Sequence, residues 1–259
     1  MIRPALCIAL SILIPLKAAE TDSEKNPAVT ASIIPVGANS DAYWEGDGPG
    51  MRAIALDPDA APPATLSFRT KKGLLTIPTT LNRPSPAMPV MAGRLRVFAN
   101  SEAIENEDPP LFADFPITAA SGHYDIYVTR SPKRKTWEDP ESLTLPSDSQ
   151  SFPMGSFRLI NLCNQGVKAR IGTQVVNVPA GKARIHPLPS ASQGKLVAVQ
   201  AAHADRGEVK IFLRSGIRIS GQERANLIFY PGRDAKNPCK ATWYHQPVPS
   251  LMTAEEKKP

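Results

Sequence analysis

Three side chains near the C-terminus are of the types that bind copper in proteins. Cys239, His245 and Met252 follow one another in this order. A thiolate and a thioether are soft ligands that hold Cu(I), whereas an imidazole suits Cu(II). A fourth ligand would have to come from His186 or His203. The residue types are therefore compatible with a copper site. Whether the sequence predicts one depends on the spacing of the ligands.

The order of these ligands resembles that of the cupredoxins, a family of β-sandwich copper proteins. The resemblance implies a tight loop that carries the ligands. Here five residues separate Cys239 from His245, and six separate His245 from Met252, so the resemblance stops at the chain order. A disulfide between Cys163 and Cys239 is the preferred use of Cys239 if the chain is exported.

Other metal ligands are scattered along the sequence. The four histidines after residue 19 contain no pair at the spacing of zinc ligands. They are His123, His186, His203 and His245. Carboxylates in two neighbouring segments could bridge a calcium ion, but the prolines and glycines beside them explain the same residues as turns. These carboxylates are Asp41, Glu45, Asp47, Asp57 and Asp59. We therefore predict no metal and no cofactor.

Catalytic motifs are not visible either. The sequence has no G-x-S-x-G elbow, and Ser156 follows Gly155 at the entry of a predicted strand. Glu138 and Asp139 are adjacent, so on a strand their side chains would face opposite ways. The prediction is a protein that is not an enzyme. A secreted enzyme acting on an envelope polymer remains the alternative, with a site that forms no motif.

The elements that position all these residues are short strands. The chain has 27 prolines, and apolar-alternating runs recur every 8–14 residues in its second half, with turn residues between them. This spacing predicts an all-β protein of two β-sandwich domains. The predicted organisation is a signal peptide at 1–19, an acidic domain at 28–146, a basic domain at 153–247 and a disordered tail at 248–259.

One stretch resembles a known family. The sequence SGHYDIY at 121–127 is similar to the entry of strand F in immunoglobulin-like domains. The resemblance implies that Tyr124 is a tyrosine corner, whose hydroxyl bonds to the backbone upstream. Ile126 stands where antibody domains have a cysteine, so no matching disulfide is implied. The exported, two-part β organisation also resembles envelope proteins of bacteria built from such sandwiches.

The N-terminus predicts export. Arg3 precedes an apolar run of about a dozen residues and the small residues Ala18 and Ala19, as in a secretory signal peptide. Cleavage would remove Cys7 and leave a mature chain without a transmembrane segment in the periplasm or outside the cell. In that compartment Cys163 and Cys239 are expected to form a disulfide. It would close a loop of about 75 residues and stabilise the fold by roughly 4 kcal/mol.

Charge divides the chain into two unlike parts. Residues 20–151 carry 12 basic and 18 acidic side chains, a net of −6, whereas residues 152–247 carry 14 and 4, a net of +10. Residues 157–187 contain five basic side chains and no acid. Three interpretations stay open: the halves attract each other, the basic half binds an anionic partner, or the charges are solvated.

Alternation predicts which basic residues face outward. Lys168 and Arg170 alternate with apolar neighbours, and Lys182 and Arg184 alternate with Ala183 and Ile185. Arg158 is expected to face outward with them. The predicted contact set is Lys168, Arg170, Lys182, Arg184, Lys210, Arg214 and Arg218. The predicted function is a non-catalytic binding or assembly module of the cell envelope. Its partner would be an anionic envelope component or an acidic protein surface, including its own acidic half, and not nucleic acid.

Overall fold

The computed structural model describes residues 29–38, 43–45, 52–54, 61–70, 73–99, 111–118, 122–131, 136–205, 207–232 and 238–247. The predicted signal peptide and C-terminal tail lie outside these residues. In the described part the chain forms eighteen strands and one 3₁₀ turn, Ser190–Ser192. The prediction of an all-β protein is confirmed. None of the described residues belongs to a helix long and apolar enough to cross a membrane.

The N-terminal half contains ten described strands. They are β1 (Val29–Val36), β2 (Tyr43–Glu45), β3 (Arg52–Ile54), β4 (Thr65–Thr70), β5 (Gly73–Pro78), β6 (Met88–Val90), β7 (Gly93–Phe98), β8 (Leu111–Ile117), β9 (Gly122–Thr129) and β10 (Glu141–Pro146). Sheet I has the order β10-β9-β1-β6, and sheet II has the order β5-β4-β7-β8. Strands β2 and β3 pair with each other as a separate two-stranded sheet.

The C-terminal half contains eight described strands. They are β11 (Ser156–Asn161), β12 (Val167–Ile171), β13 (Gln174–Val178), β14 (Lys182–Pro187), β15 (Leu196–Asp205), β16 (Glu208–Arg218), β17 (Glu223–Pro231) and β18 (Cys239–Pro247). Sheet III has the order β14-β11-β17-β18, and sheet IV has the order β13-β12-β15-β16. Each of these four-stranded sheets draws its strands from one half of the chain.

The two halves share one strand topology. In each, the first strand pairs antiparallel with an edge strand and parallel with the penultimate strand: β1 with β6 and β9, and β11 with β14 and β17. The pairs β7–β8 and β15–β16 also correspond, and each contains one register shift. Sheet III is therefore the counterpart of sheet I, and sheet IV is the counterpart of sheet II. The hairpin of β2 and β3 has no counterpart among the described strands of the C-terminal half.

Three apolar clusters lie between the four-stranded sheets, which therefore stack as four layers in the order II, I, III and IV. One cluster lies between sheets I and II and includes Phe68 and Phe115, and a second lies between sheets III and IV and includes Phe157 and Leu227. A third cluster joins the opposite faces of sheets I and III. Its buried members are Ile34, Val36, Tyr127, Ile160, Leu162, Ile228 and Tyr230. Sheets I and III are thus covered on both faces, whereas sheet IV is covered by sheet III on one face.

Coverage on both faces explains why β11 does not alternate. All six of its residues are buried, as are Arg224–Tyr230 in β17. Strands covered on both sides carry near-continuous buried residues, while a strand covered on one side alternates. Strand β12 in sheet IV does alternate, with Val167, Ala169 and Ile171 buried and the two residues between them exposed. The outer face of sheet IV is therefore the face on which charged side chains can collect.

Candidate functional site

Four of the seven predicted contact residues lie on the outer face of sheet IV. Lys168 and Arg170 are the exposed residues of β12. In the strand register Arg170 lies opposite, or level with, Gln200 of β15, and Gln200 lies opposite Arg214 of β16. Residues opposite each other in an antiparallel ladder share a face. Arg218 lies four residues beyond Arg214 and is exposed, so all four cations belong to one surface.

This surface is cationic and contains aliphatic side chains. We call it the cationic face, and its remaining members are small, polar uncharged or aliphatic. Its exposed aliphatic residues are Val175 (65%), Leu196 (69%), Val209 (71%) and Ile211 (46%). Among the described residues no acidic side chain belongs to this face, because Asp205 and Glu208 are level with each other on the opposite side of the sheet. The cationic face thus carries four positive charges without compensation on the same face.

The other three predicted contact residues lie elsewhere. Lys182 and Arg184 belong to β14 in sheet III, where Arg184 is level with the core residue Leu159. Lys210 is level with His203, which is buried on the inner side of sheet IV, and its ammonium group is paired with Asp205. The seven residues therefore do not form one surface, because alternation within a strand does not say which sheet the strand joins.

Strand β14 has Lys182 and Arg184 exposed, as predicted, but Ile185 is exposed as well. Ala183 packs against the cluster between sheets I and III, and Ile185 is 38% exposed rather than part of a core. The reason is that β14 is an edge strand of a sheet that has partners on both sides, so neither of its faces is simply the inner one. The outward prediction for Arg158 is wrong for a related reason.

Arg158 is buried between the halves. Its side chain is 2% exposed, and its Nη2 lies 2.5 Å from Oδ2 of Asp125, which is fully buried on β9. The guanidinium also donates to Asn226 Oδ1 (2.9 Å), the Pro146 carbonyl (2.9 Å) and Ser147 Oγ (3.1 Å). A buried charge is tolerated where it is paired and hydrogen-bonded. Arg158 therefore ties the C-terminal half to the N-terminal half.

Two tyrosines extend this buried network. The hydroxyl of Tyr127 donates to Asn226 Oδ1 (3.0 Å) and lies 2.9 Å from the hydroxyl of Tyr244. Burial raises the pKa of Tyr127 well above its usual value, so its hydroxyl stays protonated and can donate. We call Asp125, Arg158, Asn226, Tyr127, Tyr244 and Ser147 the interface network. It is a structural arrangement, since every one of these side chains points into protein.

The segment between β10 and β11 is held by a stacked phenylalanine. Phe152 is fully buried, with the guanidinium carbon of Arg158 4.1 Å from its ring centroid and that of Arg224 at 4.9 Å. Arg224 also donates to the carbonyls of Phe152 (2.7 Å) and Ser147 (2.9 Å). Guanidinium groups over an aromatic face are attracted by the ring quadrupole. The segment between β10 and β11 is therefore fixed at both its backbone and its one aromatic side chain.

The pKa of Asp125 makes the interface network sensitive to acid. Burial alone would raise this pKa, but the hydrogen bond with His123, the charge of Arg158 and the Ser147 hydroxyl outweigh it and lower the pKa. A carboxyl whose pKa is lower in the folded chain stabilises the fold above the unfolded pKa of about 4. That stabilisation is lost as the pH falls through the folded-state pKa.

We expect the free energy of unfolding to fall more steeply below about pH 4 in the native chain than in Asp125→Asn. The asparagine cannot take up the proton that the native carboxylate accepts on unfolding in acid. Urea titrations over a series of pH values from about 6 down to 2.5 measure this difference. Glu141→Gln serves as a control, because that carboxyl is exposed at the start of β10 and lies outside the interface network. Parallel curves for the native chain and Asp125→Asn would contradict the assignment.

The two predicted disulfide partners are neighbours in the structure. Cys163 and Cys239 are both buried and both free thiols. A hydrogen bond to Cys239, together with burial, raises the pKa of the Cys163 thiol, while accepting that bond lowers the pKa of Cys239. Gln165 also donates to the sulfur of Cys239 (3.3 Å). The structure thus places the thiols side by side, and the disulfide stays a prediction.

The copper alternative does not fit the structure. Cys239 and His245 lie six residues apart on the single strand β18, which puts them about 20 Å apart at the rise of an extended chain. One metal ion cannot bind both. The described residues contain no group of three His, Cys, Asp or Glu side chains that could hold a metal ion. Met252 and the calcium candidates Asp41, Asp47, Asp57 and Asp59 lie outside the described residues, and the side chain of Glu45 is not described.

The remaining candidate residues have structural roles. His123 bonds Thr30 Oγ1 (2.9 Å) and lies 3.4 Å from the Asp125 carboxylate. Ser156 donates to the Pro153 carbonyl (2.5 Å) at the start of β11, so its hydroxyl is already used. Tyr124 is buried in the cluster between sheets I and II, where its role as a tyrosine corner stays a prediction.

In the part of the chain that the structure describes, the geometry defines an all-β protein with an exposed cationic face and a buried ionic interface. The first can attract an anionic surface, and the second holds the halves together. The chain matches no protein-family model, and no curated protein matches it at a significant level.

Proposed function

We propose that the chain is an exported, non-catalytic binding or assembly module of the cell envelope, and that its cationic face contacts an anionic partner. In this proposal a signal peptide precedes two immunoglobulin-like sandwich domains, one for each half. Export carries with it the disulfide between Cys163 and Cys239 that an oxidising compartment would form. The observation that carries the proposal is the set of four exposed cations on one face, whose described residues include no acid.

The layer order favours a partner outside the chain. The outer face of sheet IV is separated from the N-terminal half by sheets IV and III, and the halves meet through the cluster between sheets I and III. Attraction between the cationic face and the acidic half of the same chain is therefore not the arrangement that this fold provides. A uniform positive face raises the local concentration of anions and speeds their association.

We expect Arg170→Glu/Arg214→Glu to weaken binding to anionic probes by about 100-fold at low salt, because each reversal removes an attraction and adds a repulsion. Suitable probes are vesicles with one-third phosphatidylglycerol and, separately, dextran sulfate. Co-sedimentation and light scattering measure binding and self-association. Raising the salt to 1 M shortens the Debye length to about 3 Å and should weaken the native chain similarly.

Lys182→Glu/Arg184→Glu is the matched control. It makes the same change in net charge, but its residues lie on sheet III rather than on the cationic face. The control should keep most of the native affinity. Equal losses in both variants would mean that net charge alone drives binding, and no loss in Arg170→Glu/Arg214→Glu would leave the face merely solvated. The alternative of an enzyme acting on an envelope polymer has no observation in its favour among the described residues.

A further inference from the structure

We infer that the anionic partner is the surface of a phospholipid bilayer, and that aliphatic side chains of the cationic face enter its headgroup layer between the cations. This inference rests on the proposed function, since it requires the cationic face to be the contact surface. It adds the chemistry of the partner and a second set of residues that recognise it.

The aliphatic residues are placed among the cations rather than apart from them. Val175 is level with Arg170 across β13 and β12, and Leu196 is level with Arg218 across β15 and β16. Val175 and Leu196 are 65% and 69% exposed, although each lies opposite an arginine of the neighbouring strand. A face that alternates guanidinium and aliphatic groups matches an interface of phosphates above acyl chains. A soluble polyanion would use the cations alone.

The side chain of Leu196 is held on the face. It lies across Gly216, where an added Cβ would come within 2.9 Å of Leu196 Cδ1. The glycine thus gives the leucine room to lie across the neighbouring strand without entering a core. Leu196 is therefore an apolar group presented to whatever covers the sheet, at a position next to a cation.

Other occupants fit this face less well. A second copy packed face to face would bring four cations against four cations, which is repulsive. Carbohydrate sites use aromatic side chains for stacking, and the described members of the cationic face include none. The face is also wide and open: its longest strand has 11 residues, which spans about 35 Å at the rise of a β-strand. A broad, open surface suits a bilayer better than it suits a single small ligand.

The test removes the aliphatic groups and keeps every cation. Leu196→Ser/Ile211→Ser should bind vesicles with one-third phosphatidylglycerol about 25-fold more weakly than the native chain, because partial burial of each aliphatic side chain is worth a factor of about 5. Its binding to dextran sulfate should not change. Leu74→Ser/Met91→Ser is the control, because these exposed apolar residues lie in the N-terminal half, away from the face. The control should bind vesicles as the native chain does.

The results separate this inference from the proposed function. If Leu196→Ser/Ile211→Ser binds vesicles like the native chain while Arg170→Glu/Arg214→Glu loses both probes, the face binds anions but not a bilayer, and the inference is overturned. A native chain that binds dextran sulfate but not vesicles overturns it as well. If Arg170→Glu/Arg214→Glu keeps its affinity for both probes, the proposed function fails. If the native chain binds neither probe and shows no salt-sensitive self-association, both fail. Salt-sensitive self-association without binding to either probe overturns the inference alone, since the acidic half of a second copy would then be the anionic partner.

Discussion

Replacing Arg158 by alanine is expected to lower the free energy of unfolding by about 3–5 kcal/mol. The change leaves the Asp125 carboxylate fully buried without its cation, 33 residues away in sequence and on the other half of the chain. It also removes the donors to Asn226, the Pro146 carbonyl and Ser147. Urea denaturation at pH 7, followed by tryptophan fluorescence and circular dichroism, measures the loss.

Two further variants make this prediction specific. Arg170→Ala removes an exposed arginine from sheet IV and should change the free energy of unfolding by less than about 0.5 kcal/mol. Asp125→Leu/Arg158→Met removes both charges and should be more stable than either single truncation, since no unpaired buried charge remains. An Arg158→Ala variant within about 1 kcal/mol of the native chain would show that the interface network contributes little.

Replacing Phe152 by alanine is the second large effect, with an expected loss of about 3–5 kcal/mol. The ring is fully buried in the segment that joins the halves, between the guanidinium groups of Arg158 and Arg224. Its removal leaves a cavity and takes the aromatic face from both arginines. Differential scanning calorimetry would show whether the two halves still unfold in one transition or separate into two.

Phe152→Leu divides this effect into its parts. Leucine fills most of the space but has no aromatic face, so the variant should lose about 1–2 kcal/mol from the two cation–π contacts. Phe68→Leu, in the cluster between sheets I and II, provides a comparison without a stacked guanidinium. If Phe152→Leu and Phe68→Leu cost the same, the stacking of the arginines adds nothing measurable.

The positions of turn residues and the alternation of apolar with polar residues predicted much of the fold. The turn residues between apolar runs indicated short strands, and the alternation in 167–171 placed Lys168 and Arg170 on an exposed face, as the structure shows. The gap between the two predicted domains, residues 147–152, lies between β10 and β11. These features depend on neighbours in sequence, which is why a single sequence contains them.

Features that depend on distant segments were missed. The charge pattern groups Arg158 with the exposed basic residues, although it lies in β11, a strand covered on both faces. The available signal was Asp125, the one charged residue in the apolar strand YDIYV, because a lone acid there needs a buried cation. Likewise, nothing local to β14 says that it joins sheet III rather than sheet IV. Which sheet a strand joins is decided by long-range pairing.

The shared topology of the two halves has a consequence for which surfaces recognise each other. In an isologous dimer every contact occurs twice. In the N-terminal half, the paired residues Ser32 and Asp125 are followed two positions later by the apolar pair Ile34 and Tyr127. In the C-terminal half, the paired residues Arg158 and Asn226 are followed in the same way by Ile160 and Ile228. The apolar pairs are nearly equivalent, but the charges are not. Two N-terminal halves would bury two carboxylates together, and two C-terminal halves would bury two guanidinium groups. One ion pair therefore makes a nearly symmetric interface accept only the unlike half.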